Sequence, residues 1–192
     1  VALSKDLSRE KVIDAALAIL REHGLAGLSM RQVSASLSVQ PGALYWHVAS
    51  KQELLAQLAD RILSEVPARR PDRPLPQQIR QRALDIRVAL LTVRDGAEVV
   101  SFALALRPLQ HSPARLLHEP LSDALPEPDA EWGAHTLAHY ILGAVAEEQN
   151  HAELTRAGIV AGDRAAPYTT RRFLFGVQAI LDGLTDRGPR PK

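Results

Sequence analysis

Between Leu25 and Gln52 the chain holds no Asp or Glu, yet it places Arg31 and Lys51 on either side of Tyr45, Trp46 and His47. These side chains carry positive charge or donate hydrogen bonds, so an acid-free window built from them suits a polyanion. The planar fork of Arg31 can pair bidentately with guanine O6 and N7, and Gln40 can pair with adenine. The ring of Pro41 and the methyl of Ala43 can meet a thymine methyl. Lys51, the Tyr45 hydroxyl and His47 suit phosphate oxygens, whose contacts position a protein on DNA while base-edge contacts specify the sequence. Aromatic residues make up only 4% of the chain, so the adjacent Tyr45 and Trp46 are not a compositional accident.

Two helix starts frame this window. Ser29 precedes Gln32 by three residues, and Ser50 precedes Glu53 by the same spacing. Each pair is a capping box, in which the hydroxyl and the Gln or Glu side chain serve backbone amides that have no partner within the helix. Such amide-rich N-termini also attract anions. Between the boxes, Pro41 fits the first turn of a short helix, where its missing N–H is no loss. Leu44 and Val48 lie four residues apart, so one face of that segment is predicted to be buried. Gln40, Ala43, Tyr45, Trp46 and His47 are left to the other faces. The pattern predicts a recognition helix on a helix-turn-helix frame. A lone Arg or Tyr most often packs or faces water. Here charge pattern, caps and spacing agree, although for Trp46 taken singly a packing role competes.

The totals bound the rest. The 192 residues suit one large domain or a small one joined to a medium one. A hydrophobic share of 46% allows a sizeable core, and a net charge of +1 means that any DNA-binding argument rests on local charge. Cysteine is absent, which excludes disulfides, thiol nucleophiles and thiolate metal sites. The N-terminal sequence lacks a signal pattern, and no apolar run reaches the ~18–20 residues that span a bilayer. A soluble, cytoplasmic protein without a membrane partner is the expectation.

Helical spacing recurs throughout and period-two alternation does not. The predicted fold is all-α. Helices are expected from the Ser8 cap to Gly24, from Ser29 to the Ser38–Val39 step, through the short segment after Gln40, and from Ser50 to Pro67. A Pro- and Arg-rich linker, 67–76, follows. Further helices are expected over Gln77–Arg94, Ala97–Leu106, Arg115–Ala124 (kinked or divided at Pro120), Ala130–Arg156 (capped by Asp129, ended by Gly158) and Tyr168–Thr185. A loop over 158–167 and a disordered C-terminal tail complete the reading.

Ser29-Met-Arg-Gln-Val, Leu37-Ser-Val, Gly42-Ala-Leu-Tyr-Trp-His-Val and Ser50-Lys-x-Glu-Leu-Leu resemble the DNA-binding domain of the TetR family of repressors. Ala89-Leu-Leu-Thr-Val-Arg-Asp-Gly-Ala, His139-Tyr-Ile-Leu-Gly-Ala-Val-Ala-Glu-Glu-Gln-Asn-His and Phe173-Leu-Phe-Gly resemble the core of its tetracycline-repressor subgroup. The resemblance spans nearly the whole chain. It implies a helix-turn-helix DNA-binding domain at 1–49, a connecting helix at 50–66, and a helical-bundle ligand-binding and dimerisation core at 67–192. It further implies a homodimer on a palindromic, double-stranded operator, read through the major groove and released by a small-molecule effector, with no catalytic role. The family positions for base contact fall on Arg31, Gln40, Pro41, Gly42 and Ala43, and those for backbone contact on Tyr45, Trp46, His47 and Lys51, with Ser29 at a helix start. Gln40, Pro41, Gly42 and Ala43 stand where the subgroup has Glu, Gln, Pro and Thr, which implies a different operator.

The core departs in parallel. Val100 stands where the subgroup has a metal-binding histidine, Pro67 and Arg82 stand where it has a ligand-contacting His and Asn, Ile86 replaces a Phe, and Glu147 persists. No metal or other cofactor is therefore expected. The residues expected to face the effector are Ile86, Leu90, Val100, Ala103, Leu117, His139, Leu142 and Glu147, which suit a largely apolar molecule. His135 and His139, like Glu147 and His151, are four apart on one predicted helix face. This leaves an alternative, a helical-bundle metal-binding protein or enzyme using those four residues. An effector-independent regulator is a third reading.

Overall fold

The computed structural model describes residues 7–160 and 169–186, and among them the chain forms nine helices and no strand. They are α1 (Arg9–Gly27), α2 (Met30–Ser36), α3 (Pro41–Leu44), α4 (Lys51–Leu63), α5 (Leu75–Leu91), α6 (Gly96–Leu106), α7 (Pro113–Ser122), α8 (Asp129–Arg156) and α9 (Thr170–Thr185). The all-α expectation holds. No helix of the described residues is long and apolar enough to cross a membrane.

α1 packs against α2 and α4, and α2 packs against α3. Val12, Ala16, Leu17 and Leu20 of α1 meet the buried cluster that includes Leu28, Val33, Leu44, Val48, Leu54 and Leu58. α4 belongs to both halves, because it also packs against α5 and α6. Its buried residues recur on more than one face (Leu54, Leu55, Leu58, Ala59, Ile62, Leu63), which is what a helix covered from two sides requires. α5 is the hub of the second half, touching α4, α6, α7, α8 and α9, while α8 packs against both α7 and α9.

Several predicted boundaries move for identifiable reasons. Gly24 breaks α1 at φ 67°, ψ −172°, but a further turn continues to Gly27. α4 stops at Leu63 with Ser64 as its C-cap, ahead of Pro67. α5 starts at Leu75 and stops at Leu91, because Thr92 to Gly96 make the turn into α6. α7 begins at Pro113, capped by Ser112, and runs through Pro120 undivided to Ser122. Pro128, and not Asp129, occupies the N-cap position of α8; Asp129 instead puts its negative charge in the first turn, where the helix dipole favours it. Gly158 ends α8 as expected: at φ 70° it donates to the Thr155 carbonyl while Ile159 donates to that of Leu154, a Schellman closure. α9 starts at Thr170, capped by Thr169. The predicted C-terminal tail, most of the 158–167 loop and the start of the predicted last helix at Tyr168 lie outside the described residues.

Gly24 matters because the two halves meet there. A Cβ at this position would stand 2.5 Å from Asp95 Oδ2, in a backbone region open essentially to glycine alone. Gly24→Ala is expected to lower unfolding stability by about 2 kcal/mol, read as a fall in the urea midpoint. An unchanged midpoint would show that the Gly24–Asp95 approach is not required.

Candidate nucleic-acid interface and its coupling to the core

The interface is built from two caps, one turn and one anchor. Ser29 Oγ accepts from the Gln32 amide at 3.2 Å and donates to Gln32 Oε1 at 2.9 Å. The predicted reach of Gln32 back to the backbone is thus replaced by a bond between the two side chains. Ser50 Oγ accepts from the Glu53 amide at 3.1 Å, and Glu53 Oε2 reaches back to the Ala49 amide at 2.7 Å. Between the caps the chain turns through Ser38 at φ 55°. Ser38 donates to the Ala35 carbonyl and Val39 to that of Ser34, so α2 also ends in a Schellman closure. This is the turn of a helix-turn-helix.

α3 is only four residues long, with Gln40 as its N-cap and Pro41 in its first turn. Leu44 and Val48 are fully buried and pin it to the head. The opposite face is open: Arg31, Gln40, Pro41, Gly42 and Lys51 are exposed, Ser29, Ala43 and His47 are intermediate, and Tyr45 and Trp46 are 51% and 91% exposed. Trp46 therefore does not pack in the protein's own core. The side chains of Arg31, Tyr45, His47 and Lys51 form no ion pair or hydrogen bond among the described residues. One face thus collects unpaired donors and an uncovered indole, with no acid between Leu25 and Gln52.

Arg9, distant in sequence, holds this face in place. Its Nε donates to the His47 carbonyl at 3.1 Å, and its Nη2 lies 3.5 Å from Glu53 Oε1. It thereby ties the end of the recognition segment to the start of α4 and offsets the first acid after the window. Nothing in the local spacing marks Arg9, since only the packing of α1 on α4 brings it there.

Two contacts fasten the head to the core. Asp95, in left-handed backbone at the start of α6, accepts from the Leu25 amide at 2.7 Å. Arg94 donates to the Glu22 carbonyl at 3.0 Å and pairs with Glu153 of α8, with Nε 3.1 Å from Oε2. One guanidinium thus spans α1 and α8. Farther along α4, Asp60 Oδ1 accepts from the His111 amide at 2.8 Å, and Arg107 lies 3.7 Å from Oδ2. α4 is therefore clamped to the segment joining α6 and α7.

The residues expected to face an effector divide into two groups. Ile86, Leu90, Val100, Ala103 and Leu117 are fully buried within the core cluster, and Leu142 is buried beside them. His139, Leu142 and Gly143 border a cleft of about 540 Å³ with Ser101, Leu104 and His135. On its other side His139 shares a cleft of about 330 Å³ with Tyr140, Glu147, Glu148, Arg172 and Phe173. Tyr140 donates to the Phe173 carbonyl at 3.0 Å, and burial pushes its hydroxyl above the ordinary tyrosine range. Glu148, next to Glu147, has both its oxygens held by Arg87, at 3.0 and 2.7 Å. The His135 and His139 ring centroids lie 6.3 Å apart, and among the described residues no three His, Cys, Asp or Glu side chains gather at a possible metal site.

A helix-turn-helix head carrying an uncovered cationic and aromatic face, joined through α4 to a larger helical core, defines a DNA-binding regulator. Residues 12–58 match the family described as bacterial regulatory proteins, tetR family. The class D tetracycline repressor protein of Escherichia coli is 35% identical over 197 residues, covering 93% of this chain and 86% of that one. BioQ of Mycobacterium smegmatis has a similar structure (TM-score 0.85, 36% identity, 95% of this chain and 100% of that one). So does BioQ with its natural double-stranded DNA operator (TM-score 0.79, 34% identity, 95% and 100%). A TetR variant from Acinetobacter baumannii AYE in complex with minocycline is 29% identical, with a TM-score of 0.75 and coverage of 94% and 97%. The chain belongs to the TetR family of transcriptional regulators.

The Arg94–Glu153 contact has a pH signature. Its hydrogen bond from Arg94 holds the Glu153 carboxyl below the usual carboxylate range. A depressed folded-state value contributes stability above the unfolded value and loses it as pH falls through the folded one. The difference in melting temperature between the wild type and Glu153→Gln should therefore be present near neutral pH and close as the pH is lowered through the carboxylate range. A pH-independent difference would remove this role for the ion pair.

Proposed function

We propose that the chain is a ligand-responsive repressor that binds a palindromic operator as a homodimer and is released when a small effector occupies its core. The observation that carries this reading is the open face around α3, where Arg31, Tyr45, His47 and Lys51 stand unpaired on a segment anchored by Leu44 and Val48. In this reading residues 1–49 are the DNA-binding head, 50–66 the connecting helix and 67–192 the sensing and dimerising core. Arg31, Gln40, Pro41, Gly42 and Ala43 meet base edges in the major groove. Tyr45, Trp46, His47, Lys51 and the amide end capped by Ser29 meet the phosphate backbone.

Dimerisation gives this reading its geometry, because two recognition helices must reach major grooves ~34–36 Å apart on one face of the duplex. Trp132 and Leu154 of α8 and Phe175 of α9 are large apolar side chains left exposed in the single chain, which supports a partner on these helices. The DNA-bound BioQ and the minocycline-bound Acinetobacter protein support operator and small-molecule binding, respectively. The effector is largely apolar. Ile86, Leu90, Val100, Ala103, Leu117 and Leu142 supply its wall, with His139 and Glu147 as polar groups. It acts only through tighter binding to the DNA-incompetent arrangement. α4, clamped at Asp60 and packed on α6, is the element that carries the shift to the head.

A mobility-shift assay on DNA upstream of the chain's own gene tests the reading, at about 0.1 M salt. Arg31→Ala should cost about 1–3 kcal/mol of specific binding and relax preference at one base pair. Lys51→Ala should weaken binding evenly across sequences and reduce the salt slope by about one. Absence of sequence-specific binding by the wild type would sink the repressor reading, and unchanged operator affinity in Arg31→Ala would sink the base-reading role.

A further inference from the structure

Arg82, on α5, is only 6% exposed, and apart from Ser34 it is the sole polar or charged residue in the buried set of the described residues. Its one hydrogen bond among the described residues goes from Nη1 to the carbonyl of Pro67, where the segment after α4 turns back towards the core. No carboxylate among the described residues pairs with it. The guanidinium lines a small cavity of about 60 Å³ at the junction of α5, α7 and the 67–74 segment, together with Arg69, Arg70, Arg73, Asp85 and Pro120. Arg69 is neutralised by Asp123 and Glu119 and also bonds Gln78 at 2.9 Å. The guanidinium groups of Arg70 and Arg73 have no partner among the described residues. Asp85, the one acid on the lining, accepts from Gln81 at 2.8 Å. The cavity is thus a recess rich in guanidinium groups, and Arg82, buried to 6% exposure, makes a single hydrogen bond among the described residues.

A buried guanidinium without a carboxylate is unfavourable unless something else supplies the acceptors. Its planar fork matches a carboxylate through two parallel hydrogen bonds. The recess is large enough for such a head group and a few waters. Arg82, Ile86 and Leu90 lie at successive four-residue steps along the buried face of α5, so the side chains one and two turns beyond the charged head are aliphatic, as an apolar stem requires. We infer that Arg82 is the recognition residue for the carboxylate of an organic-acid effector, with Arg70 and Arg73 steering the anion to it. The inference rests on the reading of the chain as an effector-responsive repressor and names the chemical class of that effector. It also ties effector binding to the connecting helix, because the carbonyl that Arg82 now holds lies four residues beyond the end of α4.

The test uses the full-length protein and sodium salts of straight-chain carboxylates from acetate to octanoate. Matched primary alcohols, inorganic phosphate and sulfate serve as comparisons at equal ionic strength. Carboxylates should raise the melting temperature saturably and release operator DNA in a mobility shift, with affinity rising along the chain series, while the alcohols and inorganic ions should not. Arg82→Met, verified as folded by circular dichroism, should weaken carboxylate binding about ten- to hundredfold. Because that variant can fail to fold, Arg70→Ala and Arg73→Ala, at less buried positions, provide the second arm. Each should lower apparent affinity and flatten its salt dependence. Equal shifts in wild type and Arg82→Met, equal shifts with phosphate or sulfate, or no saturable carboxylate response by a protein that still binds its operator would each overturn the assignment and leave the repressor reading standing. Loss of operator binding by the unliganded wild type would instead remove the reading on which it rests.

Discussion

The burial of Leu44 and Val48 is the constraint on which the rest of the head depends. A helix of four residues has too few internal hydrogen bonds to persist alone. α3 keeps its shape because these two side chains are sunk in the head, while Ser38 sets the turn before it and the Ser50 cap fixes the chain after it. Since the inner face is committed, Tyr45 and Trp46 have nowhere to go but outward. Their exposure would be unfavourable in a free-standing domain and suits the proposed contact with a DNA backbone. Arg9 completes the arrangement from the far end of the head, bonding the His47 carbonyl and lying beside Glu53.

The two halves are joined by polar contacts laid over an apolar joint. α4 is shared by both halves and buried from two sides, so it cannot slide freely without disturbing α1, α5 and α6. Asp60 fastens its outer part to the α6–α7 segment, and Asp95 and Arg94 fasten the head at the Gly24 bend. These contacts are few and partly exposed. They are therefore well suited to exchange one set of partners for another in the proposed effector-driven release, while the aliphatic packing keeps each half intact.

The core combines a closed aliphatic interior with one buried cation. Ile86, Leu90, Val100, Ala103 and Leu117 pack without exposure. Arg82 is the exception on that face of α5, and its bond to the Pro67 carbonyl puts a buried charge beside the chain leaving α4. Polar groups in such surroundings are where a binding site and a conformational lever can coincide, because satisfying the charge and moving the carbonyl are alternatives for the same donor.

Much of the architecture was legible in the sequence. Helical periodicity, Ser29 and Ser50 as caps, Pro41 in a first turn and Gly158 as a terminator are local signals, and local hydrogen bonding produced each of them in place. The alternation of buried Leu44 and Val48 with open Tyr45 and Trp46 follows from spacing alone. The departures fall where long-range contacts decide: the extra turn after the Gly24 bend is held by Asp95 through the Leu25 amide, and at the early end of α5 Gln149 donates to the Leu90 and Val93 carbonyls. The engagement of Glu148 by Arg87 joins residues far apart in the chain, as do the Arg9 brace and the seclusion of Arg82. Sequence by itself determined the helical periodicity, the caps at Ser8, Ser29 and Ser50 and the acid-free face, because these depend on neighbours within about one turn. Tertiary structure alone decided which charges are paired and which are left over, because that depends on which helices are brought together across the fold.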